Sequence, residues 1–215
     1  MNLVERIKGI LLQPKSEWPV IEREPGNTGY LFPNYVAIVA AIPAVCTFIG
    51  TSIIGYGSYR IGIGLGLVRA VVVYALSLAG VFVVAYIIDF LAGTFGAQKN
   101  PENAMRVSAY APTAAWVAGV FNIIPALAFL GIVGLYSLYL LHTGIVALIK
   151  PAPDKAVIYT IAVIVCAIIV WIVIFGITAL LFGSNPDQGS ALRCRIGRPG
   201  AIVCAAAMIA FASMP

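Results

Sequence analysis

Long apolar stretches separated by short polar segments dominate the sequence. Five of these stretches have at least the roughly 20 residues that a helix needs to cross a bilayer. They lie at about 33–56, 67–95, 104–124, 126–149 and 156–182. The third and fourth follow one another without a charged residue between Arg106 and Lys150, and Asn122 and Pro125 near the middle indicate a turn. The pattern therefore predicts an all-α integral membrane protein, a bundle of five transmembrane helices with short loops.

Residues 1–13 have the pattern of an amphipathic helix, with apolar residues at helical spacing among charged ones. The apolar run is shorter than that of a signal peptide, so we expect this helix to lie on the membrane surface. Pro14 and Pro19 argue against one continuous helix, and Trp18 suits the headgroup region. The segment 1–32 is therefore interpreted as an interfacial lead-in to the first span, with a binding segment as the alternative.

Composition places the chain in a membrane. Its 61% hydrophobic and 10% charged residues and its mean hydropathy of +1.01 depart far from the roughly 25% charged content of soluble domains. A chain of 215 residues has room for about five or six spans and no separate soluble catalytic domain. Because Lys and Arg flank the spans, the net charge of +5 indicates topology and contact with anionic lipid rather than nucleic acid. The four cysteines include no C-x-x-C pair and favour neither a zinc site nor a disulfide framework.

The distribution of Lys and Arg predicts the orientation. With five spans, one side of the membrane receives the N-terminal segment and the loops near 96–105 and 150–155, which together with Arg106 carry eight Lys and Arg residues. The other side receives Arg60, Arg69 and three arginines of the C-terminal tail. By the positive-inside rule, the N-terminus is cytoplasmic and the tail exoplasmic.

These features divide the chain into three parts. Residues 1–32 form the cytoplasmic or interfacial N-terminal segment, residues 33–182 the five-helix transmembrane domain, and residues 183–215 a C-terminal tail. The tail contains an apolar run of about 14 residues, which is short for a span. We expect a disordered or re-entrant tail.

The third apolar stretch carries a face of small residues. Ala104, Ser108, Ala111, Ala115 and Ala118 recur at spacings of three and four. Small side chains on one side of a helix let a second helix approach closely, so we expect a helix-packing face that needs no ligand. Pro112 in the same stretch is expected to bend the helix and leave a carbonyl unpaired.

Asp89 is the only acidic residue predicted inside a span, and a carboxylate at membrane depth indicates function because its burial is costly. In the predicted topology Asp89, Tyr110 and His142 share a depth of roughly 8–10 Å below the cytoplasmic boundary. We hypothesise that these three residues and Tyr139 form a cytoplasm-facing polar cluster, in which the carboxyl group holds a proton or pairs with the imidazole. The alternatives are that Asp89 reaches interfacial water or is neutral and hydrogen-bonded, and that the tyrosines are ordinary buried packing. One His and one Asp do not suffice for a metal site.

Three segments carry a family resemblance: LLQPKSEWPVIEREP before the first span, SAYAPTAAW in the third, and GLYSLYLLHTGI followed by KPAPDKA at the fourth. Their order and spacing resemble the YIP family of Ypt/Rab-interacting membrane proteins, in particular its small prokaryotic members, from Met1 to about Phe182. The resemblance implies a five-helix domain with a cytoplasmic N-terminus in a prokaryotic inner membrane. In eukaryotic relatives it implies binding of prenylated small GTPases. This chain lacks their long N-terminal domain and Asp-Leu-Tyr-Gly-Pro motif, which argues against GTPase binding.

Two classes of function follow. The resemblance favours a non-enzymatic scaffold or adaptor in membrane organisation or trafficking-like processes, with the bilayer, other membrane proteins or a second copy as partners. The alternative is a small transporter or channel-like protein with Asp89 and His142 in a proton or cation path, in which Pro43 and Pro112 interrupt helices. No pattern typical of a serine hydrolase, a zinc protease or a P-loop occurs, and we predict no catalytic, cofactor-binding or metal-ligating residues.

Overall fold

The computed structural model describes residues 3–24, 28–55 and 60–182, and in these ranges it is built of helices without a strand. The helices are α1 (Leu3–Leu12), α2 (Pro14–Arg23), α3 (Gly29–Ile54), α4 (Ile63–Ala92), α5 (Pro101–Tyr110), α6 (Thr113–Ala118), α7 (Tyr136–Gly144) and α8 (Ala156–Phe182). The 3₁₀-helical segments Gly119–Ile123 and Pro125–Leu135 join α6 to α7, and a π-helical turn at Ile145–Ile149 follows α7. The expected tail, residues 183–215, lies outside the described residues.

Four helical segments are long and apolar enough to cross a membrane: Gly29–Ile54, Ile63–Ala92, Phe129–Ile149 and Ala156–Phe182. An all-helical membrane protein is thereby confirmed, and the last span begins and ends where the apolar pattern predicts. The second span begins about one turn earlier than predicted, because the helix continues through Gly64 and Gly66, which the pattern assigned to a loop. Residues 104–124, the remaining expected span, do not form one continuous helix.

That third stretch is interrupted at Pro112. Proline has no amide to bond the carbonyl of Ser108, so α5 ends at Tyr110 and α6 begins at Thr113. The hydroxyl of Thr113 donates to the carbonyl of Tyr110 over 2.6 Å and so satisfies a backbone group at the break. Instead of the expected bend, the helix is broken at Pro112 into two short helices, α5 and α6.

Hydroxyl groups tie neighbouring helices together through backbone carbonyls. Ser108 of α5 donates to Val81 of α4 over 2.6 Å, and Tyr159 of α8 donates to Ile88 of α4 over 2.5 Å. Tyr74 of α4 donates in turn to a carbonyl of α3 over 2.9 Å. Because a carbonyl oxygen has a second lone pair, these bonds join helices without removing a bond from either helical ladder. They place α4 between α3, α5 and α8.

Small side chains allow close approach around α5 and α6. The five residues of the expected packing face are all buried: Ala104, Ser108, Ala111, Ala115 and Ala118. Directly after α6, Gly119 lies so near α3 that a Cβ atom there would stand 2.6 Å from Cβ of Pro43. Any larger residue at 119 would therefore push α3 away.

Helices α1 and α2 fold back on each other and cover one end of the bundle, and we call residues 3–24 the cap. The indole nitrogen of Trp18 donates to the hydroxyl of Thr143 in α7 over 3.0 Å, and the hydroxyl of Tyr136 donates to a carbonyl of α1 over 3.1 Å. Trp18 is fully buried, so the expectation that it lies among lipid headgroups is wrong. It belongs to the apolar face of α2 that faces the bundle. The chain does break before Pro14, whereas Pro19 is accommodated inside α2.

Gly119→Ala tests the close packing of α3 against the third stretch. The backbone at Gly119 is ordinary for any residue, with φ −58°, so the cost is steric, and overpacking costs about 1–3 kcal/mol. We expect a lower free energy of unfolding in detergent. Gly176→Ala in α8 is the matched control, because among the described residues no other helix has an atom within 4 Å of a Cβ there, and it should be neutral or slightly stabilising. Equal stabilities of the two variants would contradict the packing described here.

Candidate functional site at the capped end of the bundle

Arg6 of α1 is a buried cation at the centre of the cap, with a side chain only 6% exposed. It pairs with Glu17 of α2 at 2.6 Å and with Glu24 just beyond α2. Its guanidinium carbon also lies 5.9 Å from the centre of the Tyr110 ring, within range of a cation–π contact. A buried arginine needs this pairing, because an uncompensated charge is strongly destabilising. Arg6 thus joins both cap helices to α5.

Three aromatic side chains fill the space beneath Arg6. Trp18, Tyr35 and Tyr110 are buried, and the ring of Tyr110 packs edge-on against Tyr35 at 4.5 Å and against Trp18 at 6.4 Å. The hydroxyl of Tyr35 lies 2.8 Å from that of Thr113, beside the break in the third stretch. Gly144 makes room for the indole, since a Cβ there would stand 2.7 Å from a ring carbon of Trp18. The cap is therefore fastened to α3, α5 and α7 at once.

Two further cations hold the C-terminal end of α2. Arg106 of α5 donates to the carbonyl of Glu22 over 3.1 Å and to that of Glu24 over 2.7 Å. These carbonyls lie at a helix C-terminus, where backbone acceptors are unpaired and cations are favoured. Lys150 adds an ion pair with the carboxylate of Glu22 at 2.5 Å. The end of α2 is thus bound to α5 and to the loop that follows α7.

The residues of the hypothesised polar cluster lie in different surroundings. Tyr110 is buried beneath the cap, whereas Tyr139 is 41% exposed and packs against the ring of Tyr136. His142 Nδ1 lies 2.9 Å from the hydroxyl of Thr160 in α8. One carboxylate oxygen of Asp89 is buried and has no hydrogen-bond partner among the described residues. Both residues are described, and no ion pair joins them. The geometry offers no support for a proton or cation path, and the cluster stays a hypothesis.

Sequence reasoning missed the cap network and counted Arg6 only as a topology charge. One signal was available, because Arg6 precedes Ile10 by four residues and so shares its helix face. An arginine on the buried face of an amphipathic helix requires a partner. Nothing in the pattern identifies that partner as Glu17 or Glu24, because the answer depends on the turn between α1 and α2.

The lead-in segment that builds the cap is also part of a family match. A family model described as the Yip1 domain matches residues 8–175. The chain is 26% identical over 189 residues to the Inner membrane protein YohC of Escherichia coli K12, and equally to that of strain CFT073. Each alignment covers 84% of this chain and 97% of the relative, and no solved structure matches. Since the family match covers well over half of its residues, the chain belongs to the Yip1 family of membrane proteins.

Proposed function

We propose that this protein is a non-enzymatic scaffold or adaptor of a prokaryotic inner membrane, with a cytoplasmic N-terminus. The observation that carries the proposal is the attachment of the cap to the bundle: Arg6 joins α1 to the end of α2, while Trp18 and Arg106 fasten the cap to α7 and α5. A cap held in this way presents one defined surface to a partner, whereas an unattached segment of the same length would present many. The E. coli relatives are named inner membrane proteins, which supports the location.

The outward side of the cap is partly apolar and carries more basic than acidic residues, since Glu5 is the one fully exposed acidic residue among residues 3–24. Lys8, Lys15 and Arg23 are exposed, and so are Leu12 and Val20. Cations next to apolar side chains favour the interface of an anionic leaflet and the acidic surface of a second protein. We therefore assign the cap to the cytoplasmic interface, where the bilayer and another membrane protein, or a second copy of this chain, are its partners.

We further propose that residues 101–124 form a fifth, interrupted crossing. At one end of this stretch, the side chain of Asn103 donates to the carbonyl of Leu148 over 3.1 Å, beneath the cap. At the other end, the side chain of Asn122 donates to the hydroxyl of Thr47 over 3.3 Å, in the half of α3 that is away from the cap. A stretch that extends along the bundle in this way supports five crossings, with the loops after α4 and α7 on the same side.

Single-cysteine labelling tests the fifth crossing. In a variant without the natural cysteines, Lys99→Cys and Lys155→Cys should react with a membrane-impermeant maleimide from one side. Arg60→Cys and Ile124→Cys should react from the other side. If residues 101–124 do not cross, position 155 will react from the same side as position 60, and the proposed topology is wrong.

Arg6→Gln tests how the cap is held. The variant leaves Glu17 and Glu24 without their partner, at a cost of about 1–3 kcal/mol because both retain some contact with water. We expect trypsin to cleave the purified protein after Lys15 about tenfold faster, since cleavage follows the population of the open cap. Lys8→Gln removes an exposed cation of the same helix and should leave the rate unchanged. Equal rates for the two variants would show that the ion pairs do not hold the two cap helices together.

Cross-linking in native membranes, followed by purification, tests the adaptor role. The double variant Lys8→Glu with Lys15→Glu reverses the charge of the cap surface and should remove the specific partners recovered with the natural sequence. Asp89→Asn is the control and should recover the same partners, because Asp89 lies in α4 rather than in the cap. Recovery of no specific partner, or of the same set from the double variant, would count against the adaptor role.

A further inference from the structure

A cavity of about 160 Å³ lies mainly in the half of the bundle away from the cap. It is bounded by α3, α4, α8 and the segment that contains α6 and Asn122, and most of its wall is apolar. Among the described residues that line it, Arg69 of α4 alone is charged. Thr47 and Thr51 of α3 contribute hydroxyl groups to the same wall.

Arg69 differs from the two arginines beneath the cap. Arg6 and Arg106 are paired with carboxylates or carbonyls, whereas no residue in the described ranges forms an ion pair or a hydrogen bond with the side chain of Arg69. A guanidinium group in an apolar wall is costly unless it reaches water or an anion. Its five N–H donors match the oxygen atoms of a phosphate or carboxylate group.

Two further groups of the wall favour an anion, whereas the hydroxyls of four other lining residues already donate to backbone carbonyls: Thr51, Tyr74, Ser77 and Thr178. The hydroxyl of Thr47 accepts a hydrogen bond from Asn122 at 3.3 Å, and within the described part its own proton has no acceptor. The indole nitrogen of Trp116, another lining residue, likewise donates to no described residue. None of the described residues that line the cavity is acidic. This part of the wall therefore has unused donors and no negative charge.

The depth of Arg69 identifies the source of the anion. Helix α4 has 30 residues and is about 45 Å long, which exceeds the ~30 Å hydrocarbon core by about 15 Å. If the excess is shared between both ends, Arg69, six residues after Ile63, lies close to the hydrocarbon boundary. The phosphate groups of lipids lie just outside this boundary. From Arg69 the cavity continues along apolar residues such as Val73 and Ile174.

We propose that this cavity binds an anionic phospholipid, whose phosphate group pairs with Arg69 while an acyl chain lies along the apolar wall. A free phosphate ion would use the donors but leave the apolar part of the cavity unfilled. The site is independent of the adaptor role, because the cap does not contribute to it.

Thermal unfolding of the full protein in neutral detergent tests the site. Phosphatidylglycerol should stabilise the natural sequence at a lower concentration than phosphatidylcholine does, and millimolar inorganic phosphate should have no effect. Arg69→Gln should need about tenfold more phosphatidylglycerol, the loss expected for one charge-assisted hydrogen-bonded pair. Arg60→Gln removes an exposed arginine that does not line the cavity and should behave as the natural sequence does.

A second variant keeps the arginine and removes the space. Ala44→Phe places a ring in the cavity and should also weaken the response to phosphatidylglycerol. The proposal can therefore still be tested if Arg69→Gln fails to fold. Three results would overturn the proposal. They are an unchanged response of the variants, equal stabilisation by both lipids, and full stabilisation by inorganic phosphate, which would identify a free anion instead of a lipid.

Discussion

A guanidinium group that is withdrawn from water has to be paired, and the capped end of this molecule satisfies that requirement at Arg6. Its partners are Glu17 and Glu24, which lie on and just beyond α2. The pairing is possible only if α1 and α2 fold back on each other, which brings Trp18 into the bundle. A segment that would otherwise spread over the membrane surface is thereby made part of the packed structure.

A related constraint acts inside the bundle, where backbone groups have no water to bond. Pro112 breaks the third stretch, and the hydroxyl of Thr113 satisfies a carbonyl at the break. The same hydroxyl lies 2.8 Å from that of Tyr35, whose ring packs against Tyr110 beneath Arg6. The break in the helix and the attachment of the cap therefore share one set of contacts.

The parts of the fold that depend on local pattern could be predicted from the sequence. The apolar run 156–182 is long enough to form a helix that crosses a bilayer, and Pro112 lacks the amide that a continuous helix would bond to the carbonyl of Ser108. The candidate site depends on contacts between distant residues, such as that of Trp18 with Thr143. Counting residues along a span gives the depth of His142 but not the rotation of its helix about its own axis. In the structure the imidazole of His142 contacts the hydroxyl of Thr160. Depth alone therefore cannot identify a cluster.

The arginines at the two ends of the bundle differ in what compensates their charge. At the capped end, Arg6 and Arg106 find their partners within the chain, so their charges are used in folding. At the other end, Arg69 lines a cavity beside donors that the described residues leave unused. A charge that the fold does not compensate has to be compensated from outside, by water or by a ligand. Because the cavity around Arg69 is mostly apolar, a ligand with both an anionic group and an apolar chain satisfies that requirement more completely than water does.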